Sequence, residues 1–208
     1  MDTNEQKNND MINEDDSALV WETVKVEHLA QDEWIDLRRV SYRLPDGKVW
    51  EPYYNYSRRS YVVIVASDEE GRFLCVRQFR HGISQVTTEF PAGGIEVNGK
   101  EGYITAQDQG VVAENALDAA KRELKEETGY VSDDWTPLMR VPSNATIADN
   151  YAYIFRAKNC RLVSGQSLDE MEFLNVKLYT AEEIETMIRE ERFQQAIHIL
   201  AWMLASGI

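Results

Sequence analysis

Residues 114–130 contain several glutamates followed by a glycine near the end of the segment, and this combination limits the secondary structure that the segment can form. Successive residues of an α-helix are rotated by about 100°, so Glu123, Glu126 and Glu127 project from one helix face. Like charges at these spacings repel each other unless a cation lies between them. The segment therefore predicts a helix whose carboxylates converge on a hard divalent cation.

The sequence also predicts the ends of this helix. Asn115 and Asp118 favour a start near residue 115, because their side chains can cap free backbone N–H groups. Gly129 follows the last residue of the pattern, where a left-handed glycine commonly ends a helix, so we expect it to have a structural role. The predicted helix covers about 116–127. A solvated acidic surface is the alternative explanation for the glutamates.

The glutamates belong to a longer pattern. The run Glu-x7-Arg-Glu-Leu-x-Glu-Glu-x-Gly begins at Glu114 and follows Glu-Phe-Pro-Ala-Gly-Gly-Ile-Glu at 89–96. This pattern resembles the signature of the Nudix hydrolases, which split nucleoside diphosphates linked to another moiety. Segments 73–81 and 168–172 are similar to the ADP-ribose and nucleotide-sugar pyrophosphatase branch, and the resemblance covers about residues 33–206.

This resemblance implies a metal site and a catalytic base. The metal-binding groups it assigns are the backbone carbonyl of Ala92 and the carboxylates of Glu123, Glu126, Glu127 and Glu172. Glu126 and Glu127 are also expected to act in catalysis, together with Glu170 as the proton acceptor. The roles of Glu170 and Glu172 could be exchanged, and a plain acidic loop is the alternative interpretation. A cluster of oxygen ligands favours Mg²⁺, or Mn²⁺, over zinc.

The same resemblance implies a substrate-binding set. Arg80 is expected to meet a substrate phosphate, which a planar guanidinium can bind through two hydrogen bonds. Arg77 either assists it or is an ordinary charge on the strand surface. Gly93 and Gly94 let the backbone come close to phosphate or metal, because they carry no side chain. Glu89 completes the predicted set.

Two further residues are expected to support the glutamates. Arg122 matches an arginine of the family signature, whose role is to orient a glutamate through charge-assisted hydrogen bonds. Glu114 would lie on the opposite helix face from Glu123 if the helix were continuous between them, so we expect it to approach from the preceding loop.

The chain departs from the family pattern at two places. The distance in sequence between Gly93 and Glu114 is longer than the signature requires, which indicates an insertion at about 97–112 in the loop before the helix. Farther on, residues 142–146 stand where ADP-ribose-specific members commonly carry a Ser-Pro-Gly turn. Another nucleoside diphosphate sugar, or a dinucleotide, therefore stays open as the substrate.

Composition limits the class of protein and its partners. A chain of 208 residues with 43% hydrophobic content can bury one good core. A net charge of −14 argues against a nucleic-acid surface, and no apolar run approaches membrane-spanning length. Only two cysteines are present, without a Cys-x-x-Cys pair, and no signal peptide is recognisable, so we expect a cytoplasmic protein.

The order of elements predicts an α/β (α+β) fold. We expect a disordered acidic tail at 1–17, a small N-terminal antiparallel β subdomain at 18–57 and the hydrolase domain at 58–208. Helices are predicted at 116–127, 181–190 and 192–205, and strands of the hydrolase domain near 86–91, 135–141, 149–157 and 172–179. The resemblance sharpens this to a Nudix-type α/β/α sandwich around a mixed sheet.

Three functions compete at this point. The leading hypothesis is a metal-dependent pyrophosphohydrolase that converts a nucleoside diphosphate sugar into a nucleoside monophosphate and a sugar phosphate. The second is a Nudix-like domain that senses nucleotide sugars without turnover, and the third is a scaffold built on the same fold. By resemblance we expect a homodimer.

Overall fold

A computed structural model describes residues 14–97 and 114–207, which divide into two compact units, Met1–Tyr56 and Ser57–Ile208. Residues 1–13 of the predicted tail, and nearly all of the insertion predicted at about 97–112, lie outside the described residues. The described part of the tail forms the start of a short 3₁₀ helix, which covers Glu14–Leu19. The subdomain boundaries inferred from the sequence stay a proposal.

The first unit contains a three-stranded sheet. Its strands, in the order β1-β2-β3, are β1 (Glu22–Gln31), β2 (Asp36–Arg43) and β3 (Val49–Ser57). Strands β1 and β2 are antiparallel. The turn between β2 and β3 contains the sequence Pro-Asp-Gly, which is typical of turns, and it is closed by a hydrogen bond from the Leu44 N–H to the Lys48 carbonyl (2.8 Å).

The second unit is built on a mixed eight-stranded sheet, as the sequence predicts. The order β11-β5-β4-β10-β8 forms its main path, with β6 beside β5, β7 beside β4 and β9 beside β10. Strand β4 is parallel to β10 and antiparallel to β5. The strands are β4 (Tyr61–Asp68), β5 (Phe73–Arg80), β6 (Gln85–Glu89), β7 (Ala92–Gly94), β8 (Tyr130–Val131), β9 (Asp134–Pro142), β10 (Tyr151–Leu162) and β11 (Leu174–Tyr179).

Helices cover both faces of this sheet. The helices are α1 (Ala116–Thr128), α2 (Ala181–Arg189) and α3 (Ala196–Ser206). Alternate residues of β4 point to opposite faces: Val62 and Ile64 pack in one cluster with Leu124 of α1. Val63 and Val65 pack in a second cluster that contains residues of α2 and α3. The predicted α/β/α sandwich is therefore confirmed.

Local signals fix both ends of α1. The Asn115 side chain caps the helix by accepting a hydrogen bond from the Leu117 N–H at 2.9 Å. Gly129 has a left-handed backbone with φ of 76°, and its N–H donates to the Lys125 carbonyl at 2.8 Å. Helix α1 ends one residue beyond the predicted 116–127.

Two elements differ from their predicted bounds. The last helix starts at residue 196 instead of 192, because the chain first turns through a left-handed Glu191 and buries Phe193. Strand β10 continues to residue 162, whereas 149–157 was predicted. The polar Asn159 adopts a positive φ at an irregularity, and the strand then pairs with β8.

None of the helices in residues 14–97 and 114–207 is both long and apolar enough to cross a membrane.

Replacing Gly129 with alanine should destabilise the protein by more than the backbone conformation alone requires. An added Cβ at Gly129 would overlap the carbonyl oxygen of Ser164, whereas nothing lies within 4 Å of a Cβ at Gly71, which also has a positive φ. Urea unfolding should show a loss of about 1 kcal/mol for Gly71→Ala and at least about 2 kcal/mol for Gly129→Ala. Equal losses would contradict the close contact.

Candidate metal and phosphate site

Strand β7 brings the Pro-Ala-Gly-Gly segment onto helix α1. It pairs with β4, where Ala92 lies opposite Val63, and the Ile64 N–H donates to the Pro91 carbonyl at 3.0 Å. The Ala92 N–H donates to Oε2 of Glu127 at 3.0 Å. Segments 35 residues apart in sequence are thus joined by a direct hydrogen bond. The two halves of the predicted motif therefore meet in space.

The two glycines of this segment make close approach possible. A Cβ at Gly93 would occupy the position of the Glu123 carboxylate, and a Cβ at Gly94 would overlap the guanidinium of Arg59. A side chain at either position would therefore displace the end of the Glu123 or Arg59 side chain, independently of any ligand. Arg59 is thus a direct neighbour of this segment.

Glu123 and Glu127 are buried one helical turn apart. Their exposed fractions are 7% and 2%, although carboxylates rarely lose water without a compensating partner. Burial raises the pKa of Glu123 to about 7, against the opposing effect of Arg122. Burial and the charge of Glu123 raise the pKa of Glu127, and the N–H of Ala92 only partly opposes this shift. A cation near the pair would reverse both shifts.

Arg122 forms hydrogen bonds with several of the surrounding carboxylates. Its Nη1 donates to Glu123 (2.8 Å) and Glu126 (3.0 Å). Its Nη2 donates to the carbonyl of Gly94 (2.9 Å) and to Glu114 (2.9 Å). Burial alone would lower the pKa of Arg122, but these partners raise it above its ordinary value, so the guanidinium stays charged.

Glu114 reaches Arg122 from the loop before α1, in agreement with the expectation for it. Hydrogen bonds to Arg122 hold the pKa of Glu114 below its usual range. The Glu114 N–H also donates to the Glu96 carbonyl at 2.9 Å, and the Glu96 N–H donates to the Glu114 carboxylate at 3.3 Å. The two ends of the predicted insertion are therefore held together beside the site.

The site contains more negative charge than its arginine can neutralise. Among the described residues, 14–97 and 114–207, no three His, Cys, Asp or Glu side chains form a group that could hold a metal ion. Glu123 and Glu126 instead have their carboxylates turned to Arg122. The donor chemistry nevertheless fits a hard divalent cation, because Glu123 and Glu127 are both buried, the charge of Glu123 raises the pKa of Glu127, and Gly93 leaves room for the Glu123 carboxylate against the backbone.

On the adjacent strands, Arg80 and Glu89 form a two-point ion pair. Nε and Nη2 of Arg80 donate to the two oxygens of Glu89 at 2.8 and 2.9 Å. Glu89 is fully buried, and Thr87 also donates to it at 3.0 Å. Arg80 lies near enough to Glu127 to lower its pKa. Arg77 is exposed on β5, where it lies opposite Asn175 of β11.

The late acidic loop is attached to the end of α1. Gln166 donates to the Glu127 carbonyl at 2.7 Å, and the Ser167 N–H donates to the Glu126 carbonyl at 2.8 Å. The negative charge of Glu172 contributes to the raised pKa values of Glu123 and Glu127. Glu170 lies on the same loop and is exposed. Of the two loop glutamates, Glu172 is the one with this electrostatic link to the helix.

One buried polar residue next to the site was not predicted. His198 of α3 is 4% exposed, and its Nε2 lies 3.6 Å from Oε2 of Glu89. The only local pattern at His198 is an apolar helix, which carries no signal of a partner more than a hundred residues away.

Comparison with known proteins agrees with this geometry. The NUDIX domain model matches residues 57–203, and the chain therefore belongs to the Nudix hydrolase family. It is 27% identical over 180 residues to the ADP-ribose pyrophosphatase of Bacillus subtilis (strain 168), covering 86% of this chain and 89% of that protein. It is 25% identical to the methanol dehydrogenase activator of Bacillus methanolicus, again over 86% and 89%.

A solved structure supports the fold assignment. A crystal structure described as an ADP compounds hydrolase superposes with a TM-score of 0.71 at 22% identity. The match covers 90% of this chain and 92% of that chain. At this identity the similarity establishes the Nudix fold, and the roles of individual residues have to be argued from the site.

Arg122→Lys should lower the free energy of unfolding by about 2–3 kcal/mol, because an ammonium cannot reproduce the planar set of hydrogen bonds. Arg161→Lys is the matched control, since Arg161 forms an exposed ion pair with Asp133 at 3.0 Å. The control should change stability by no more than about 0.5 kcal/mol. Urea unfolding measures both, and equal effects would show that Arg122 is not a central link.

Proposed function

We propose that this protein hydrolyses the pyrophosphate bond of a nucleoside diphosphate linked to another moiety, with ADP-ribose or another nucleotide sugar as the substrate. Water adds to one phosphorus, the bridging P–O bond breaks, and the products are a nucleoside monophosphate and a sugar phosphate. The observation that carries the proposal is the buried pair Glu123 and Glu127 beside Arg80. The name of the Bacillus subtilis relative, an ADP-ribose pyrophosphatase, supports the choice of substrate.

Nudix hydrolases generally need divalent metal ions, and we propose Mg²⁺, or Mn²⁺, here. The groups that would hold the ion are the carboxylates of Glu123, Glu126, Glu127 and Glu172 and the backbone carbonyl of Ala92. Such an ion neutralises phosphate charge and lowers the pKa of a bound water. Arg122 maintains the orientation of Glu123 and Glu126 through hydrogen bonds of 2.8 and 3.0 Å.

Arg80 is the proposed phosphate-binding residue. Two of the five N–H donors of a guanidinium are bound by Glu89, which leaves the others for a phosphate oxygen. We expect Arg77 to assist as a nearby charge on the same strand, and the segment of Gly93 and Gly94 to lie beneath the phosphates. Because Glu89 is fully buried behind Arg80, we propose that it acts on the substrate only through that arginine.

The proton acceptor is proposed to come from the loop before β11. The sequence assigned this role to Glu170 and a metal-binding role to Glu172. The electrostatic effect of Glu172 on Glu123 and Glu127 favours Glu172 as the loop residue on which activity depends more strongly. The loop that carries Glu172 is attached to α1 by the hydrogen bond from Gln166 to the Glu127 carbonyl.

The purified protein with Mg²⁺ should hydrolyse at least one member of a panel of ADP-ribose, nucleotide sugars and dinucleotides. Mass spectrometry of the products identifies the bond that is cleaved. Glu127→Gln should lower kcat/KM by at least about 100-fold, because it removes a buried carboxylate from the site. Glu185→Gln, a change on the surface of α2, should leave kcat/KM unchanged.

The same assay separates the loop glutamates. Glu172→Gln should lower kcat/KM by about 100-fold, and Glu170→Gln by less than about tenfold. The opposite order would return the principal role to Glu170. If no panel member is turned over by the wild type while ligand still binds, the protein is a sensing domain and the hydrolase proposal is wrong.

We also propose a homodimer, and the three-stranded sheet supports it. Every residue of β1 is exposed. The unit exposes more large apolar side chains than a sheet in contact with water alone would be expected to carry: Val20, Trp21, Val24, Val26, Leu29, Trp34, Val49 and Trp50. Sedimentation velocity of the full chain should give a dimer, and a monomer throughout the micromolar range would contradict this.

A further inference from the structure

The ion pair of Arg80 and Glu89 has a third member, His198. Arg80 is partly exposed, with 35% of its side chain accessible, whereas Glu89 behind it is fully buried. His198 lies on the far side of Glu89, with Nε2 3.6 Å from Oε2. This separation is longer than a direct hydrogen bond, so the contact is one between a buried N–H dipole and a buried carboxylate.

The backbone of Phe90 fixes the tautomer of this histidine. The Phe90 N–H donates to Nδ1 of His198 at 3.1 Å, so Nδ1 carries no hydrogen. The single proton of the neutral ring is therefore on Nε2, the nitrogen next to Glu89. Burial is the main cause that lowers the pKa of His198 to about 4, and the charge of Arg80 acts in the same direction.

Packing limits the movement of the ring as well. His198 stacks on Phe90, with ring centroids 6.4 Å apart, and Phe90 also contacts Phe193 and Trp202. The histidine is a polar member of a helix whose other buried residues, Ala201 and Trp202, are hydrophobic. An apolar residue would pack here as well, but it would offer Glu89 no N–H group.

We propose that His198 is a positioning residue that holds Glu89, and through it the guanidinium of Arg80, in the orientation that binds a substrate phosphate. This inference rests on the proposed function, in which Arg80 meets that phosphate. Glu89 binds one edge of the guanidinium through two hydrogen bonds, and His198 limits how far the carboxylate can turn or withdraw. Helix α3 thereby contributes to substrate affinity without touching the substrate.

Two substitutions of His198 test the contributions of its two ring nitrogens separately. His198→Asn retains an acceptor near the position of Nδ1 but removes the N–H that faces Glu89. His198→Gln retains an N–H near the position of Nε2 and removes the acceptor for Phe90. We expect His198→Asn to raise KM about fivefold to tenfold with kcat changed less than twofold, since binding in the ground state and the transition state is lost together. His198→Gln should recover most of this loss.

A double-mutant cycle with Arg80→Ala tests whether His198 acts on the substrate through Arg80. If His198 acts through Arg80, adding His198→Asn to Arg80→Ala should not raise KM further. The same fold-increase in both backgrounds would overturn the proposal, because it would show a general structural effect. Urea unfolding of each variant shows that the folded state is the one assayed. Nitrogen-15 NMR of the wild type should show the Nε2–H tautomer, and the opposite tautomer would also overturn the proposal.

Titration calorimetry measures the binding of ADP-ribose in EDTA. This measurement tests the role of His198 separately from the proposed hydrolase activity. If the wild type binds but does not hydrolyse ADP-ribose, the hydrolase proposal fails, and the same variant comparison on Kd decides the role of His198. A Kd raised by His198→Asn and restored by His198→Gln would support the role. Unchanged Kd values, or an absence of both binding and turnover for the wild type, would overturn it.

Discussion

The hydrogen bonds between Arg122 and the surrounding carboxylates are the interaction on which the rest of the site depends. One guanidinium joins helix α1, the Gly94 carbonyl and the loop residue Glu114, which are distant in sequence. Because Arg122 binds Glu123 and Glu126 at the same time, their side chains have little freedom to turn away. An arginine suits this position better than a lysine, since it donates in several directions from one plane.

The single positive charge of Arg122 does not neutralise all the carboxylates around it, and the remaining negative charge suits the site to a cation. Glu123 lies against Gly93, Glu127 accepts a hydrogen bond from the Ala92 N–H, and burial raises the pKa values of both carboxylates. Burying two carboxylates together opposes folding unless a cation compensates for the charge. Gly93 contributes to the arrangement, because a side chain there would displace the Glu123 carboxylate from its present position.

The phosphate side of the site is organised by a second buried carboxylate, Glu89. Arg80 is bound to this carboxylate by two hydrogen bonds, and its charge lowers the pKa values of both Glu127 and His198. A network of this kind specifies geometry better than an exposed arginine could, because buried polar groups are strongly constrained by their partners. It also links α3, which otherwise packs the second hydrophobic cluster, to the predicted binding of substrate.

The sequence by itself determined the features that depend on neighbouring residues. Helix α1 follows from the spacing of its side chains and from its caps at Asn115 and Gly129, because helix geometry is local. The motif also indicated the family. Tertiary structure alone decided that Glu172 acts electrostatically on the helix glutamates and that His198 lies behind Glu89. These relations join residues that are far apart in the chain, and they arise from sheet pairing and from the packing of α3, which no local pattern encodes.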